Sequence, residues 1–359
     1  MLKCCHICEI NFYIFRHLSM SFILAEKRLN ALLITLNRPE KLNSLTLDMV
    51  KSLKTHFDSP GLKILQSNNE KAFCAGGDVV GLLNDIKLGK QFFSEEYKMN
   101  LALYKRNDKK DTVALVNGIC MGGGVGISAH APFVVVTERV KYAMPETKIG
   151  LHPDVGGSFF LPRLKSGTGL LLGLTGYAVT SPWLLKEIGY ANYFIPSQKL
   201  QHLITELSNV TEMEVIKDVI EEFSEQPEPS LADSKIMEVA NDCFLNNSLP
   251  EIMEALEEKP DCAICKKLLT SLNNASPLSL HLTHRLYHMK ASTLKEALRN
   301  EYRVSSRLLE NGSDFHIGVK ALLVDKSKEP VQWTHSSIDN VPEELIEKYF
   351  QPLKDEWTP

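Results

Sequence analysis

Long apolar runs are missing from this chain: nowhere do eighteen or more apolar residues follow one another, which argues against a membrane partner. The nearest candidate, Ile10 to Phe15, is short and runs into Arg16 and His17. Charge of one sign is also scarce. The formal net charge is −4 and no basic patch is interleaved with aromatics, so a nucleic-acid partner is not expected. Runs of Lys and Glu between 251 and 267 read as solvated helix faces. The last residues, Trp357-Thr-Pro359, do not form a peroxisomal tripeptide. The first twenty are only weakly basic, with Glu9 against Lys3 and Arg16. They are compatible with an import leader, and Met20 is an alternative start.

Of the eight cysteines, Cys5/Cys8 and Cys262/Cys265 form two C-x-x-C pairs, which together could supply four zinc ligands. The first pair lies in the leader and the second in a charged helical pattern. Free thiols in a reducing compartment and no metal are therefore expected. At 359 residues the chain is long enough to bury a sizeable core in one large domain or two.

Phe22–Ala25, Ala31–Leu36 and Leu62–Leu65 read as strands, and Leu47, Val50, Leu53 and Phe57 carry a helical spacing over Thr46–Phe57. A helix over about Phe92–Tyr104 leads to the strand Thr112–Val116, a glycine loop and the strand Phe133–Val136. Strand, strand and helix recur with glycine turns, the mark of an α/β core built as stacked units. Pro132 limits the helix after the glycines to roughly two turns. Beyond Leu161 the chain turns helical, broken at Glu225-Gln-Pro-Glu-Pro-Ser230, with amphipathic helices over Leu278–Met289 and Leu294–Leu309.

Two glycine-rich stretches, Ala72-Phe-Cys-Ala-Gly-Gly-Asp78 and Met121-Gly-Gly-Gly-Val-Gly126, precede Glu146 in Met144-Pro-Glu-Thr-Lys-Ile-Gly150. Two such loops can aim backbone N–H groups at one carbonyl oxygen, and an acid beside them can work on its carbon. The spacing Gly122-x-Gly124-x-Gly126 is not that of a dinucleotide-binding loop. Read alone, Glu146 could be a helix-start carboxylate, Asp154 a loop cap before Val155-Gly-Gly157, and Glu96 an exposed helix residue.

Leu36-Asn-Arg-Pro-Glu-Lys-Leu-Asn-Ser-Leu45, the Ala72–Asp78 stretch and the Gly122–Gly157 region together resemble the crotonase (enoyl-CoA hydratase/isomerase) superfamily. The resemblance implies an α/β fold: a crotonase-like spiral of repeated ββα units over 21–200, after a leader over 1–20, with a helical C-terminal extension over 201–359. It also implies an acyl-CoA substrate, with CoA part of the substrate and no separate cofactor. The thioester oxygen would sit between the N–H groups of Gly77 and Gly123, with Lys41, Leu42, Ala75, Gly76 and Asp78 toward the CoA moiety. Water-adding members carry a second glutamate where this chain has Gly126, so hydration is not expected. The pair Glu146 and Asp154, with Ser276–Leu280, Glu301–Ser305, Asp314–Ala321 and Trp333, resembles the branch that hydrolyses 3-hydroxyisobutyryl-CoA in valine degradation. Glu146 would attack the carbonyl or deprotonate a water, Asp154 would hold the 3-hydroxyl or assist proton transfer, and Glu96 would line the acyl pocket.

The alternatives are an enoyl-CoA isomerase using Glu146 as a single proton shuttle and a non-catalytic scaffold. The resemblance implies a mitochondrial matrix location, or a cytoplasmic one if Met20 is the start, and allows a homo-oligomer. The chain departs from the family pattern in three places. Met49–Ala72 is shorter by roughly six residues, about one and a half helical turns. Lys105–Asp111 is more polar, and Ile317 replaces an acid.

Overall fold

The computed structural model describes residues 21–83, 85–245 and 248–359. The leader, the Met20 start and the Cys5/Cys8 pair lie outside them. Nine strands are described: β1 (Ile23–Arg28), β2 (Ala31–Leu36), β3 (Leu62–Ser67), β4 (Ala72–Cys74), β5 (Thr112–Val116), β6 (Ile119–Met121), β7 (Phe133–Val136), β8 (Lys141–Ala143) and β9 (Tyr193–Phe194). After an antiparallel β1–β2 pair, the order β2-β3-β5-β7-β9 is parallel throughout. The short strands β4, β6 and β8 form a second parallel sheet. Each repeat thus lays one strand in each sheet (β3 then β4, β5 then β6, β7 then β8), which is the expected ββα spiral.

Strands buried on both faces read as continuous apolar runs, and β5 and β7 are buried along their whole length. Alternate residues serve two cores, following the two-residue period of a strand. Leu33, Ile64, Val113, Leu115 and Val135 face the helices Leu200–Asn209 and Ile216–Phe223. Ile34, Leu65, Ala114, Val116 and Val136 face the larger core, which holds the remaining helices.

The helices include α1 (Leu47–Asp58), α2 (Ile86–Tyr104), α3 (Gly123–Gly126), α4 (Ala263–Asn274), α5 (Pro277–His288) and α6 (Leu294–Leu308). α1 starts where Thr46 accepts the Met49 N–H, and it buries Met49, Val50, Leu53 and Phe57. α2 starts at Ile86, earlier than the expected Phe92, capped by Asp85. Gly89 reads as a helix breaker, yet a Cβ there would lie 2.6 Å from Leu309 Cδ2. The glycine lets the C-terminal part pack onto the helix. The polar Lys105–Asp111 segment also has a packing reason. Asp111 is buried with Arg106 and Lys63 around it, Arg106 Nε donating at 2.9 Å and Lys63 Nζ lying 3.5 Å away. Among the described residues no helix is long and apolar enough to cross a membrane.

Candidate active site

The loop after β4 is tied to the chain before α1. Leu45 N–H donates to Gly76 O at 2.8 Å, Asp78 N–H to Leu45 O at 2.9 Å, and Ala75 N–H to Leu42 O at 3.0 Å. These bonds occupy the neighbours of Gly77, whose own N–H has no acceptor among the described residues. Gly123 is the first residue of α3, so its N–H lacks an intrahelical acceptor. The two loops meet: a Cβ on Gly123 would lie 3.2 Å from Gly77 N. One oxygen can therefore face both donors.

Both glycines line a cavity of about 260 Å³ that also takes in Ala75, Gly76, Glu96, Glu146 and Asp154, with Leu323 at its edge. Lys41, Leu42 and Asp78 do not line it. Lys41 and Leu42 are exposed beside it, and Asp78 pairs with Arg38 at 2.8 Å. The buried Asn43 knots this region: its Nδ2 donates to Ser67 Oγ at 2.7 Å and Phe73 O at 3.1 Å, and its Oδ1 accepts Arg38 N–H at 2.8 Å.

Three carboxyl groups share the cavity, and none is exposed. Glu146 opens the 3-10 turn Glu146–Ile149. Its Oε2 is buried without a partner, and its Oε1 fills the space a Gly122 Cβ would need, 2.7 Å away. Gly122, at φ +47° and ψ −117°, also has a backbone that suits glycine. Glu96 Oε1, likewise buried and unpartnered, stands 2.6 Å from where a Gly123 Cβ would be. Glu96 is thus buried rather than exposed on its helix. Burial, and then the charge of Asp154, push Glu146 well above the usual carboxylate range. Burial, then Asp154 and Glu146, do the same for Glu96.

Asp154 rises to about 7 through burial, held back by the Tyr97 hydroxyl, which donates to its Oδ2 at 3.0 Å. Its side chain therefore faces the cavity and Tyr97, while its backbone carbonyl accepts the Gly157 N–H at 2.7 Å. Ser305 Oγ lies 2.9 Å from Tyr97 Oη and 2.9 Å from His152 Nε2. Counting protons orders this chain. With Asp154 ionised, Tyr97 donates to it, Ser305 to Tyr97 and His152 Nε2–H to Ser305. A proton on Asp154 Oδ2 permits the opposite order, in which Ser305 donates to His152 Nε2 and His152 Nδ1–H meets Pro153 O, 3.1 Å away.

The loop that carries Asp154 is strained. Val155, a β-branched residue, sits at φ +53°. His130 Nε2 donates to its carbonyl at 2.7 Å, and burial, lowering His130 to about 4, keeps that ring neutral. From α6, the buried Glu301 accepts Gly156 N–H at 2.8 Å, Ser158 N–H at 2.9 Å and Ser158 Oγ–H at 2.6 Å. Gly126 lies against the same loop. A Cβ there would come within 2.6 Å of Val155 Cβ and 2.9 Å of Asn100 Nδ2, so no side chain fits at the position where a second acid would stand.

Tyr97, His130, His152, Glu301 and Ser305 have no assigned role in the sequence reading. The one available signal was Glu301–Ser305 as a stretch of the family-like extension. Cys262 and Cys265 belong to α4, with Cys262 as its N-cap. Among the described residues no group of three or more His, Cys, Asp or Glu could hold a metal ion.

Residues 31–350 match the family model described as enoyl-CoA hydratase/isomerase. The chain is 38% identical over 352 residues to the mitochondrial 3-hydroxyisobutyryl-CoA hydrolase of Gallus gallus, covering 93% of this chain and 90% of that protein. It is 39% identical over 349 residues to the Homo sapiens protein of the same name, covering 92% and 89%. Among solved structures, a carnitinyl-CoA dehydratase from Mycobacterium thermoresistibile superposes with a TM-score of 0.84 at 30% identity, over 94% of this chain and 98% of that one. An enoyl-CoA hydratase from Rhodobacter sphaeroides 2.4.1 gives 0.82 at 30% identity, over 94% and 100%.

Proposed function

The chain belongs to the enoyl-CoA hydratase/isomerase family, and we propose that it hydrolyses the thioester of 3-hydroxyisobutyryl-CoA, and of related short 3-hydroxyacyl-CoAs, to the free acid and CoA in valine breakdown. The observation that carries this reading is the unpartnered Glu146 Oε2, buried beside two backbone donors with no second acid at position 126. The second acid that water-adding members carry at position 126 is replaced by glycine here, whereas acyl transfer needs only one carboxylate beside the two donors.

In this reading the thioester oxygen lies between the N–H groups of Gly77 and Gly123. As negative charge grows on that oxygen, the fixed donors stabilise it more than they do the ground state. Glu146 then either attacks the carbonyl carbon, giving a mixed anhydride that water opens, or takes a proton from an attacking water. In either route the C–S bond breaks and the CoA sulfur leaves with the electron pair. A carboxyl raised toward neutrality is suited to taking a proton from water and returning it to that sulfur. Asp154 accepts the substrate's 3-hydroxyl, and Glu96 forms the polar wall of the acyl pocket. Ala75 and Gly76 lie along the CoA side, with Lys41, Leu42 and Asp78 at its outer edge. CoA enters as part of the substrate, and the reading uses no further cofactor.

The test is chromatographic detection of CoA after mixing the protein with (S)-3-hydroxyisobutyryl-CoA, beside Glu146→Gln and with crotonyl-CoA as control. Release by the parent alone, with crotonyl-CoA untouched, supports the hydrolase. No release from folded protein sinks it and turns attention to the isomerase. After a single turnover in ¹⁸O-water, label in Glu146 would identify an anhydride opened at the Glu146 carbonyl. The relatives' names carry "mitochondrial", which supports our proposal of a mitochondrial matrix location, to be checked by import of a tagged chain. Light scattering would report whether it forms a homo-oligomer.

A further inference from the structure

The Cys262/Cys265 pair lies outside the acyl-CoA site and is used by nothing described above. Cys262 is the N-cap of the twelve-residue α4, and its Sγ accepts the Cys265 N–H at 3.3 Å. The two thiols differ in exposure: Cys262 is half-buried, while Cys265 is fully buried one turn into the helix. Residues three apart at a helix start have Cβ atoms roughly 5–6 Å apart, against about 3.5–4.5 Å in a disulfide. Closing that gap takes a shift of about 1–2 Å, and the N-cap residue, at φ −84° and ψ 105°, lies outside the helix and can supply it.

We propose that Cys262 and Cys265 form a thiol–disulfide exchange site, with Cys262 as the attacking thiol, Cys265 as the resolving thiol and a low-molecular-weight disulfide such as oxidised glutathione as the oxidant. Cys262 Sγ attacks one sulfur of the small disulfide. A mixed disulfide forms, and one small thiolate leaves and takes up a proton. Cys265 then loses its proton and attacks Cys262 Sγ, the intramolecular S–S bond forms, and the second small thiol departs with that proton. Two cysteine thiols are oxidised and one small disulfide is reduced to two thiols.

The division of labour follows from the surroundings. Burial acts to raise the Cys262 thiol, but hydrogen bonds from the Cys265 thiol and N–H and from the Ile264 N–H outweigh it, so it lies below the ordinary thiol range. Lys235 adds a nearby cation. Burial, followed by the hydrogen bond and charge of Cys262, pushes Cys265 to about 12. The thiolate is the nucleophile, and it forms on the accessible sulfur. Cys243, Asp242 and Lys259 border the pair from the preceding segment, and Cys243 is fully buried there.

The full chain would be equilibrated in glutathione buffers of graded ratio, quenched with N-ethylmaleimide and digested with trypsin. Because Pro260 follows Lys259, one peptide spanning 236–266 carries Cys243, Cys262 and Cys265, and fragmentation assigns the bond. The expected result is a Cys262–Cys265 disulfide that dithiothreitol reverses, with Cys262 alkylated at least about tenfold faster than Cys265 in the reduced protein. Cys265→Ser should trap glutathione on Cys262. Cys262→Ser, which keeps a good N-cap and so the helix, should abolish both adducts while activity in reducing buffer stays at the parent level. A bond to Cys243, a mixed disulfide that persists on the parent, or no oxidation at any ratio would each overturn the proposal. None of these outcomes depends on the acyl-CoA reading.

Discussion

The two sides of the cavity are built by opposite means. The donor side consists of backbone: Gly77 and Gly123 present N–H groups, and the absence of Cβ atoms at Gly122 and Gly123 leaves room for the oxygens of Glu146 and Glu96. It is held by ties that span less of the chain, such as Leu45 to Gly76 and Asp78. The acid side depends on atoms that are present, and they come from far along the chain. Glu301 reaches back 145 residues to Gly156, and Ser305 reaches 208 residues to Tyr97. One side fails when something is added, the other when something is taken away.

That contrast can be broken from either side. Gly123→Ala places a methyl group 2.6 Å from Glu96 Oε1 and 3.2 Å from Gly77 N, and should cost roughly 100-fold or more in kcat with the fold retained by circular dichroism. An active Gly123→Ala enzyme would show that the space beside this donor is not needed by the acyl group. Glu301→Ala leaves three donors at Gly156 and Ser158 unpaired in a buried site. Urea unfolding should show a loss of about 3 kcal/mol, only partly recovered in Glu301→Gln, whose amide keeps one acceptor oxygen but turns a donor toward the remaining N–H.

Asp154 sharpens the comparison through pH. Its folded value of about 7 lies above its ordinary 3.8, so the folded state holds a proton that the unfolded chain has released. Stability should therefore fall as pH rises from about 4 to 7, the reverse of a salt-bridged aspartate. Thermal melts of Asp154→Asn should show a flatter slope across that range and a higher Tm at pH 8 than the parent. The smallest effect is expected from Tyr97→Phe. Removing the hydroxyl that donates to Asp154 should move the pH limb associated with Asp154 upward by less than about one unit, leaving the donor side untouched. An unmoved limb would detach Asp154 from catalysis.

Legibility follows the same division. β5 and β7 announce themselves because both faces are buried, and α1 because its apolar stripe and its Thr46 cap lie within one short stretch. The strands β4, β6 and β8 are three residues each and hide within the glycine motifs, too short to show a period. The first turn of α2 contains Gly89, whose packing partner Leu309 is far away in the chain. Glu96, Glu146 and Asp154 could be marked from motifs, and they do meet in one cavity. Their supports could not be marked. A buried glutamate at 301 and a tyrosine at 97 look like ordinary helix residues until the packing of α6 against α2 sets them beside the Asp154 loop.

The distance spanned by Glu301 has a consequence in time. A ribosome adding about 5–20 residues each second emits Glu301 some 7 to 30 seconds after Gly156. Through that interval a nascent chain has both glycine loops and all three acids, yet lacks the Glu301 clamp on Gly156 and Ser158, next to Val155 at φ +53°. Maturation of the acid side is therefore a late event in biosynthesis. A chain stalled before α6 would be a donor site without its partner.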